Sequence, residues 1–327
     1  MKTFTHFNAS TIDEAVSLLR RYQGKANVIA GGTDILGKMK DRILPEYPEA
    51  LINLKTIPGL DTIQEEADVL KIGPLAILDD IAHHEIVRTR YGVLAEAARK
   101  TASPHLREMG TIGGNICQDI RCWYYRNPEN RFPCLRKGGG RCYALKGDTR
   151  YHSIFGGNVE EGCIAVHPSD TAPALIALDA QIKTSKRTLP AEDFFQVEVS
   201  RTTVLDENEI VTKIQVSKPA AGAKSAFFKF ALRKAIDFPI VNCAAVITSS
   251  GDKVSAARIC LNAVYVKPYR AVRAEEALVG KKINAANAEI AGKAAVASAK
   301  PLGDNAYMVQ VARALVAKAV LGCADKD

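Results

Sequence analysis

The spacing of apolar residues along the chain predicts short strands and amphipathic helices. At the start, Thr11 and Glu14 have capping-box spacing, and Gly24 is placed to end the helix that they begin. Apolar runs predict strands at 28–30, 50–54, 70–72, 181–184 and 210–216. Apolar residues at helical spacing predict helices at 78–87, at 93–100 and from about residue 169 onward.

The last third of the chain has a different order of elements. Strands are predicted at 227–232, 240–248 and 256–266, and helices at 269–278, 285–299 and 306–321. A three-stranded sheet covered by helices can form a domain of its own. The break Lys218-Pro219-Ala220-Ala221-Gly222 comes just before it and predicts a domain boundary. The sequence therefore predicts an α+β protein with units at 1–55, 56–218 and 222–327.

Two glycine-rich segments stand out between these elements. Strand 28–30 runs directly into Gly31-Gly32-Thr33-Asp34, and a polar stretch leads to Gly110-Thr111-Ile112-Gly113-Gly114-Asn115. Backbone N–H groups without a neighbouring Cβ suit a pyrophosphate, and the hydroxyl and amide side chains can donate to a phosphate or a ring carbonyl. A lone Gly-Gly is more often a tight turn, but two such segments favour a ligand. Neither fits G-x-G-x-x-G, which disfavours a Rossmann domain.

Five of the eight cysteines lie between residues 117 and 163, in a segment whose prolines and glycine triplet break both helix and strand patterns. Thiolates bound to a metal centre could hold such a segment together. The gaps of eleven, seven and twenty residues between Cys122, Cys134, Cys142 and Cys163 are wider than in zinc fingers, so spacing alone is a weak signal. Disulfides and scattered inert thiols are the alternatives. The other cysteines, in apolar runs, look inert: Cys243, Cys260 and Cys323.

Composition narrows the class of protein. The chain has 327 residues, 47% of them hydrophobic, which is enough for two or three domains with cores. No apolar run approaches the roughly 20 residues of a membrane span. The opening MKTFTHFNAS lacks the apolar stretch of a secretory signal, so we expect a cytoplasmic protein with reduced thiols. The net charge of +8 is spread along the chain without a nucleic-acid motif, which disfavours nucleic acid and fits an acidic cofactor or partner.

Four motifs taken together resemble a known family. They are AGGTD at 30–34, TIGGN at 111–115, PSD at 168–170 and FFKFALRKAIDF at 227–238. The chain is similar over essentially its full length to the FAD-binding medium subunit of the molybdenum hydroxylases, the family of xanthine dehydrogenase, carbon monoxide dehydrogenase and 4-hydroxybenzoyl-CoA reductase. The resemblance implies a two-subdomain FAD-binding fold shared with vanillyl-alcohol oxidase, followed by an α+β C-terminal domain.

The resemblance also implies the residues that bind the cofactor. Both glycine segments would hold FAD, the aspartate of PSD would contact it, and a lysine would lie near the isoalloxazine. For Asp170, helix capping is the structural alternative. The implied set is Ile29, Ala30, Gly31, Gly32, Thr33, Asp34, Ile35, Thr111, Ile112, Gly113, Gly114, Asn115, Asp170 and Lys229.

The cysteine-rich segment, at about 117–165, is an insertion relative to most of that family. In the 4-hydroxybenzoyl-CoA reductase and bacterial aldehyde oxidoreductase flavin subunits, a similar insertion holds a 4Fe-4S cluster. The resemblance implies Cys122, Cys134, Cys142 and Cys163 as ligands, with Cys117 as a competing ligand. The place of Cys163 resembles the aldehyde oxidoreductase type, so the substrate class stays open.

The function implied is electron relay. A molybdopterin-containing large subunit and a 2Fe-2S small subunit would assemble with this chain, as a heterotrimer or its dimer. FAD would mediate between one- and two-electron steps. A ferredoxin-like carrier or NAD would be the external electron carrier. The substrate would be an aromatic acyl-CoA, an aldehyde or an N-heterocycle. The alternatives are a self-contained FAD oxidoreductase of the vanillyl-alcohol oxidase type and a non-catalytic metal-binding interaction module.

Overall fold

The described part of the chain forms an α+β fold built on three β-sheets. The computed structural model describes residues 1–156, 162–199 and 201–324. The predicted insertion at 117–165 therefore lies partly outside the described residues. No helix in the described ranges is long and apolar enough to cross a bilayer.

The first sheet is parallel, and it places the first glycine segment at the carboxyl end of a strand. Its strand order is β1-β3-β2. The helix α1 between the first two strands has Ala15 and Leu19 buried against the sheet, and Thr11 Oγ1 caps it by accepting from Glu14 N–H (3.1 Å). The elements are β1 Thr5–Asn8, α1 Ile12–Tyr22, β2 Ala26–Ile29, α2 Ile35–Lys40 and β3 Ala50–Asn53.

The second sheet is antiparallel, in the order β4-β5-β8-β6-β7, and packs against a layer of helices. The predicted helix 78–87 is wrong as one element, because His84 is extended and separates two helices. The strands are β4 Ile63–Glu66, β5 Val69–Ile72, β6 Gln181–Thr184, β7 Thr188–Pro190 and β8 Val211–Ser217. The helices are α3 Leu78–His83, α4 Glu85–Arg90, α5 Gly92–Arg99, α6 Pro104–Arg107, α7 Ile112–Cys117 and α8 Thr171–Ala177.

The third sheet has four described strands where the sequence predicts three. Tyr269 and Arg270, expected at the start of a helix, instead pair with the end of the preceding strand, and Tyr269 stacks on Phe155. The elements are β9 Ala223–Phe230, β10 Val241–Ser250, β11 Lys253–Asn262, β12 Tyr269–Arg270, α9 Val272–Leu278, α10 Ala285–Ala295 and α11 Ala306–Leu321. Helices α9 to α11 cover this sheet and form a separate hydrophobic core with it.

The three sheets fall within 1–55, 56–218 and 222–327, but the unit boundaries themselves stay a prediction. As the prolines and glycines indicate, the described part of the cysteine segment is irregular. It contains three short 3-10 turns, at Pro128–Asn130, Leu135–Lys137 and Ala144–Lys146.

Candidate functional site

The two glycine segments pack directly on each other. A Cβ on Gly31 would lie 1.9 Å from the carbonyl oxygen of Met109, so only glycine fits at that contact. Gly32 has φ +76°, a left-handed conformation that glycine adopts without strain. The second segment is the start of helix α7 rather than an open turn, and Thr111 caps it by accepting from Gly114 N–H (3.1 Å). The contact presents backbone from both segments on one surface.

A solvent-open cleft, the first cleft, runs between these segments. Its volume is about 230 Å³, and it reaches from β2 to the strand β8. Its lining combines the backbone of both glycine segments with the cation Lys38, the amides Asn27 and Gln118 and the carboxylates Asp34 and Glu209. Such a lining suits a pyrophosphate, since the N–H groups and the ammonium attract negative charge.

A second cleft of about 290 Å³ adjoins the first and shares Thr33, Asp34, Thr111, Gly114 and Gln118 with it. Its lining includes three partly exposed apolar side chains, Leu106, Ile236 and Phe238, with Asp237 among them. A cleft with one polar and one apolar wall suits a flat heteroaromatic ring.

Asp170 lies at the base of the second cleft and is held by a buried ion pair. The Lys229 ammonium donates to one carboxylate oxygen (2.7 Å) and the Asn242 amide donates to the other (2.7 Å). Burial raises the pKa of Asp170, and the Lys229 ammonium opposes that rise. Asp170 does not cap helix α8, because Ser169 Oγ accepts from Ala172 N–H (3.0 Å) and performs that role.

Most of the implied FAD residues line the two clefts. There are three exceptions. The side chains of Ile29 and Ile112 are buried in hydrophobic clusters, and Lys229 lines neither cleft but donates to the Asp170 carboxylate. The residues that line the first cleft, the second or both are Ala30, Gly31, Gly32, Thr33, Asp34, Ile35, Thr111, Gly113, Gly114, Asn115 and Asp170. Sequence reasoning missed Lys38 and Gln118, which lie one turn or less beyond the motifs, a position that helical spacing could have indicated.

Asn115 joins the second glycine segment to the PSD motif. Its Oδ1 accepts from the Ser169 hydroxyl (2.5 Å) and the Thr171 hydroxyl (2.7 Å). This fixes the amide so that the oxygen faces the protein. The NH₂ group is therefore the part of Asn115 that can donate to a ligand in the second cleft.

A separate cavity, the cysteine cavity, brings together the four cysteines named from the sequence. Its volume is about 20 Å³, and its other lining residues are aromatic and apolar side chains together with Arg136 and His152. Its sulfur-bearing residues are Cys122, Cys134, Cys142 and Cys163. Burial raises the pKa of Cys122 to about 12 and also raises that of Cys134. As free thiols both therefore stay protonated at neutral pH, and only a bound cation would hold them as thiolates.

Local backbone structure explains how these cysteines meet. A Cβ on Gly139 would lie 1.9 Å from the Pro133 carbonyl oxygen, so the glycine triplet permits the tight loop between Cys134 and Cys142. A backbone bridge between Arg121 and Val166 (N–O distances of 2.8 and 3.2 Å) brings the start of the segment beside its end. Cys122 and Cys163 lie next to that bridge.

Hydrogen-bond donors surround two of the sulfurs. The backbone N–H groups of Tyr124 and Tyr125 lower the pKa of Cys122 against the effect of burial, and those of Arg136 and Lys137 do the same for Cys134. His152 is fully buried, and its Nε2 lies 3.2 Å from Cys122 Sγ. Donors of this kind stabilise negative charge on a ligand sulfur.

The arrangement differs from that of a single-ion site. Among the described residues, no three His, Cys, Asp or Glu side chains are close enough to bind one metal ion together. A 4Fe-4S cluster sets each thiolate on a different iron, so its four ligands need not converge on one point as those of a lone ion do. Cys117 lines the first cleft and is not among the residues of the cysteine cavity. Cys243, Cys260 and Cys323 are buried in the hydrophobic core.

The fold and the paired clefts define a two-domain flavoprotein. Residues 2–219 match the family described as the FAD binding domain in molybdopterin dehydrogenase, and residues 226–323 match the CO dehydrogenase flavoprotein C-terminal domain. The chain therefore belongs to the FAD-binding medium subunits of the molybdenum hydroxylase family. These matches confirm three predictions: an α+β fold with an FAD-binding part and a C-terminal domain, FAD as the cofactor, and an oxidoreductase subunit as the class of protein.

Individual relatives agree with this family assignment. The aldehyde oxidoreductase FAD-binding subunit of Escherichia coli K12 is 34% identical, with 97% of each chain covered. The carbon monoxide dehydrogenase medium chain of Hydrogenophaga pseudoflava is 30% identical, with 97% of this chain and 96% of that protein covered. A solved carbon monoxide dehydrogenase from the same organism superposes with a TM-score of 0.78 at 29% identity, and covers 98% of this chain and 97% of its own.

Proposed function

We propose that this FAD-binding subunit also holds a 4Fe-4S cluster and relays electrons between the cluster, FAD and the other redox centres of a molybdenum hydroxylase complex. The observation that supports the proposal most strongly is the cysteine cavity, because four cysteines separated by up to twenty residues line one cavity. Cysteine thiolates are the usual ligands of such clusters.

The cysteine cavity lies close to the flavin clefts. Gln118 lines both clefts, and Ile120, two residues later, lines the cysteine cavity. Two backbone steps span at most about 7.6 Å between Cα atoms, since consecutive Cα atoms are about 3.8 Å apart. The short separation supports electron exchange between groups held at the two places.

When bound, FAD supplies chemistry that accepts or gives electrons singly or in pairs, and an iron–sulfur cluster supplies single-electron transfer. The chain's own residues set the conditions for this exchange. Apolar and aromatic side chains bury Cys134 and Cys163 and leave Cys122 and Cys142 partly exposed, while nearby backbone N–H groups favour negative charge on Cys122 and Cys134. The buried Lys137 beside Cys134 adds a nearby positive charge.

We also propose partners, substrates and a compartment, on the basis of the family to which the chain belongs. A molybdopterin-containing large subunit and a 2Fe-2S small subunit would complete the complex, as a heterotrimer or its dimer, and a ferredoxin-like carrier or NAD would be the external partner. The proposed substrates are an aromatic acyl-CoA, an aldehyde or an N-heterocycle, and the aldehyde oxidoreductase named among the relatives favours an aldehyde. A reducing compartment such as the cytoplasm would keep the four thiols available for iron.

The isolated chain provides a test of the relay. Reconstituted with FAD, it should pass electrons from a reduced donor to an artificial dye, but should oxidise no aldehyde, purine or aromatic thioester. The two clefts are the proposed FAD site, and no group of His, Cys or carboxylate side chains among the described residues is placed to bind a metal ion. Stopped-flow absorbance of the flavin measures both reactions.

Adding the molybdenum and 2Fe-2S subunits should restore substrate turnover. Reduction of FAD in the isolated chain by a specific alcohol or aldehyde would contradict the relay. That result would favour a self-contained oxidoreductase of the vanillyl-alcohol oxidase type. The non-catalytic module is disfavoured, because the family binds FAD.

A further inference from the structure

Arg126, in the cysteine segment, reaches back to the first glycine segment. Its Nη1 donates to Asp34 Oδ1 (2.6 Å), its Nη2 to the carbonyl oxygen of Asp119 (2.7 Å) and its Nε to that of Ile120 (2.9 Å). The side chains of Arg126 and Asp34 are each only 24% exposed. The planar guanidinium therefore spans three acceptors in a mostly buried position, which lysine could not do.

Asp34 is bound to the cysteine segment through both carboxylate oxygens. While Oδ1 accepts from Arg126, Oδ2 accepts from the backbone N–H of Asp119 (3.0 Å). Asp34 also ends the Gly31-Gly32-Thr33-Asp34 segment and lines both flavin clefts. The position of the glycine segment thus depends on where residues 119–126 lie.

The same residues form one wall of the cysteine cavity. The Asp119 carboxylate pairs with Lys38 (3.1 Å) and accepts from the Tyr125 hydroxyl, and Tyr125 lines the cavity. Burial would raise the pKa of Asp119, but Lys38, Arg126 and Arg136 hold it well below its usual range. Asp119 is therefore a carboxylate at neutral pH, and the network stays charged and connected.

We propose that Arg126 is a positioning residue for FAD, and that FAD binding and the ordering of the cysteine segment are thermodynamically linked through the Asp34–Arg126–Asp119 network. Arg126 is not among the residues that line either cleft in the described ranges, so it acts through Asp34. The inference rests on FAD binding and does not require iron in the cysteine cavity. Linkage is reciprocal, so FAD should order the segment as much as the segment favours FAD.

The test is an FAD titration of the FAD-depleted full-length chain, followed by quenching of flavin fluorescence. Arg126→Gln should weaken FAD binding roughly 10- to 100-fold, the range of typical coupling energies. Arg126→Lys should give an intermediate loss, since lysine keeps the charge but loses bonds to the carbonyl oxygens. The matched control is Arg150→Gln, because Arg150 is an exposed arginine of the same segment paired with Asp148, and it should bind FAD as the wild type does.

Asp34→Asn completes a double-mutant cycle with Arg126→Gln. If Asp34 and Arg126 act as a unit, the double variant should bind FAD only slightly more weakly than whichever single variant has the lower FAD affinity. Adding FAD to the wild type should also slow the hydrogen exchange of residues 118–156. In Arg126→Gln, FAD should slow this exchange much less.

Several results would overturn the proposal: FAD affinity of Arg126→Gln within twofold of the wild type, equal losses in Arg150→Gln, or additive losses in the cycle. If Arg126→Gln does not fold, Arg126→Lys decides, and wild-type affinity there refutes the network. Iron measured in the same samples separates this test from the cluster proposal. Loss of iron in Arg126→Gln with normal FAD affinity would overturn the linkage and leave the cluster proposal standing.

Discussion

Gly31→Ala should abolish FAD binding. The new Cβ would lie 1.9 Å from the Met109 carbonyl oxygen and 2.8 Å from its carbon, so the two glycine segments would have to separate. Because the obstacle is backbone, no change of side-chain rotamer relieves it. Both clefts depend on that contact, and we expect the FAD content to fall from about one per chain to near zero. Absorbance of the protein after gel filtration measures the ratio.

Gly37→Ala is the matched control. Gly37 lies in helix α2, six residues beyond Gly31, and a Cβ there meets no atom within 4 Å. Alanine favours a helix interior over glycine by about 1 kcal/mol, so this variant should keep FAD and unfold at slightly higher temperature. Full FAD occupancy in Gly31→Ala, or equal loss in Gly37→Ala, would contradict the assignment of the flavin site.

Cys134→Ser and Cys142→Ser should each remove the iron. Serine keeps the size of the side chain but is a harder and weaker ligand for the iron of a cluster. We expect iron to fall from about four atoms per chain to near zero. FAD should remain bound, because neither cysteine lines the flavin clefts. Iron and acid-labile sulfide assays on anaerobically purified protein make the measurement.

Two further serine variants serve as controls for ligand choice. Cys117 lines the first cleft and Cys260 is fully buried in the hydrophobic core, so both variants should keep the full iron content. Loss of iron in Cys117→Ser with retention in Cys142→Ser would mean that Cys117 is the fourth ligand. Loss of FAD together with iron in Cys134→Ser and Cys142→Ser would mean that the segment builds the flavin site itself.

The sequence predicted those features of the structure that depend on interactions between residues close together in the chain. The capping role of Thr11 and the irregular backbone of the cysteine segment could be predicted from the sequence, because each depends on a few neighbouring residues. The strand that leads into Gly31 was readable for the same reason. The assignment of FAD needed the resemblance of four motifs, since one glycine pair is compatible with an ordinary turn.

What sequence reasoning missed depends on contacts between distant segments. Tyr269 and Arg270 join a sheet because their partners at 260–261 and the stacking on Phe155 outweigh a helical pattern. The break of the predicted helix at His84 is likewise a tertiary effect, and the choice of Ser169 over Asp170 as the helix cap is another. In the case of Asp170, the buried Lys229 and Asn242 occupy the carboxylate that a helix cap would use.

The network around Arg126 shows the same limit more clearly. The resemblance implies only that the cysteine segment is an insertion in the flavin fold. In the structure, Asp34 is bound to that segment through both carboxylate oxygens, across 92 positions of sequence in the case of Arg126. A charged residue in an irregular loop gives no local signal of so distant a partner.

The most direct test of the central proposal is the cofactor content of the chain purified without oxygen. The account predicts about one FAD, four iron atoms and four acid-labile sulfides per chain, with an electron paramagnetic resonance signal of a 4Fe-4S cluster after reduction. One FAD with iron and sulfide near zero would contradict the cluster and leave a flavin-only subunit. Zinc in place of iron would mark a structural site and would remove the relay through the cysteine cavity.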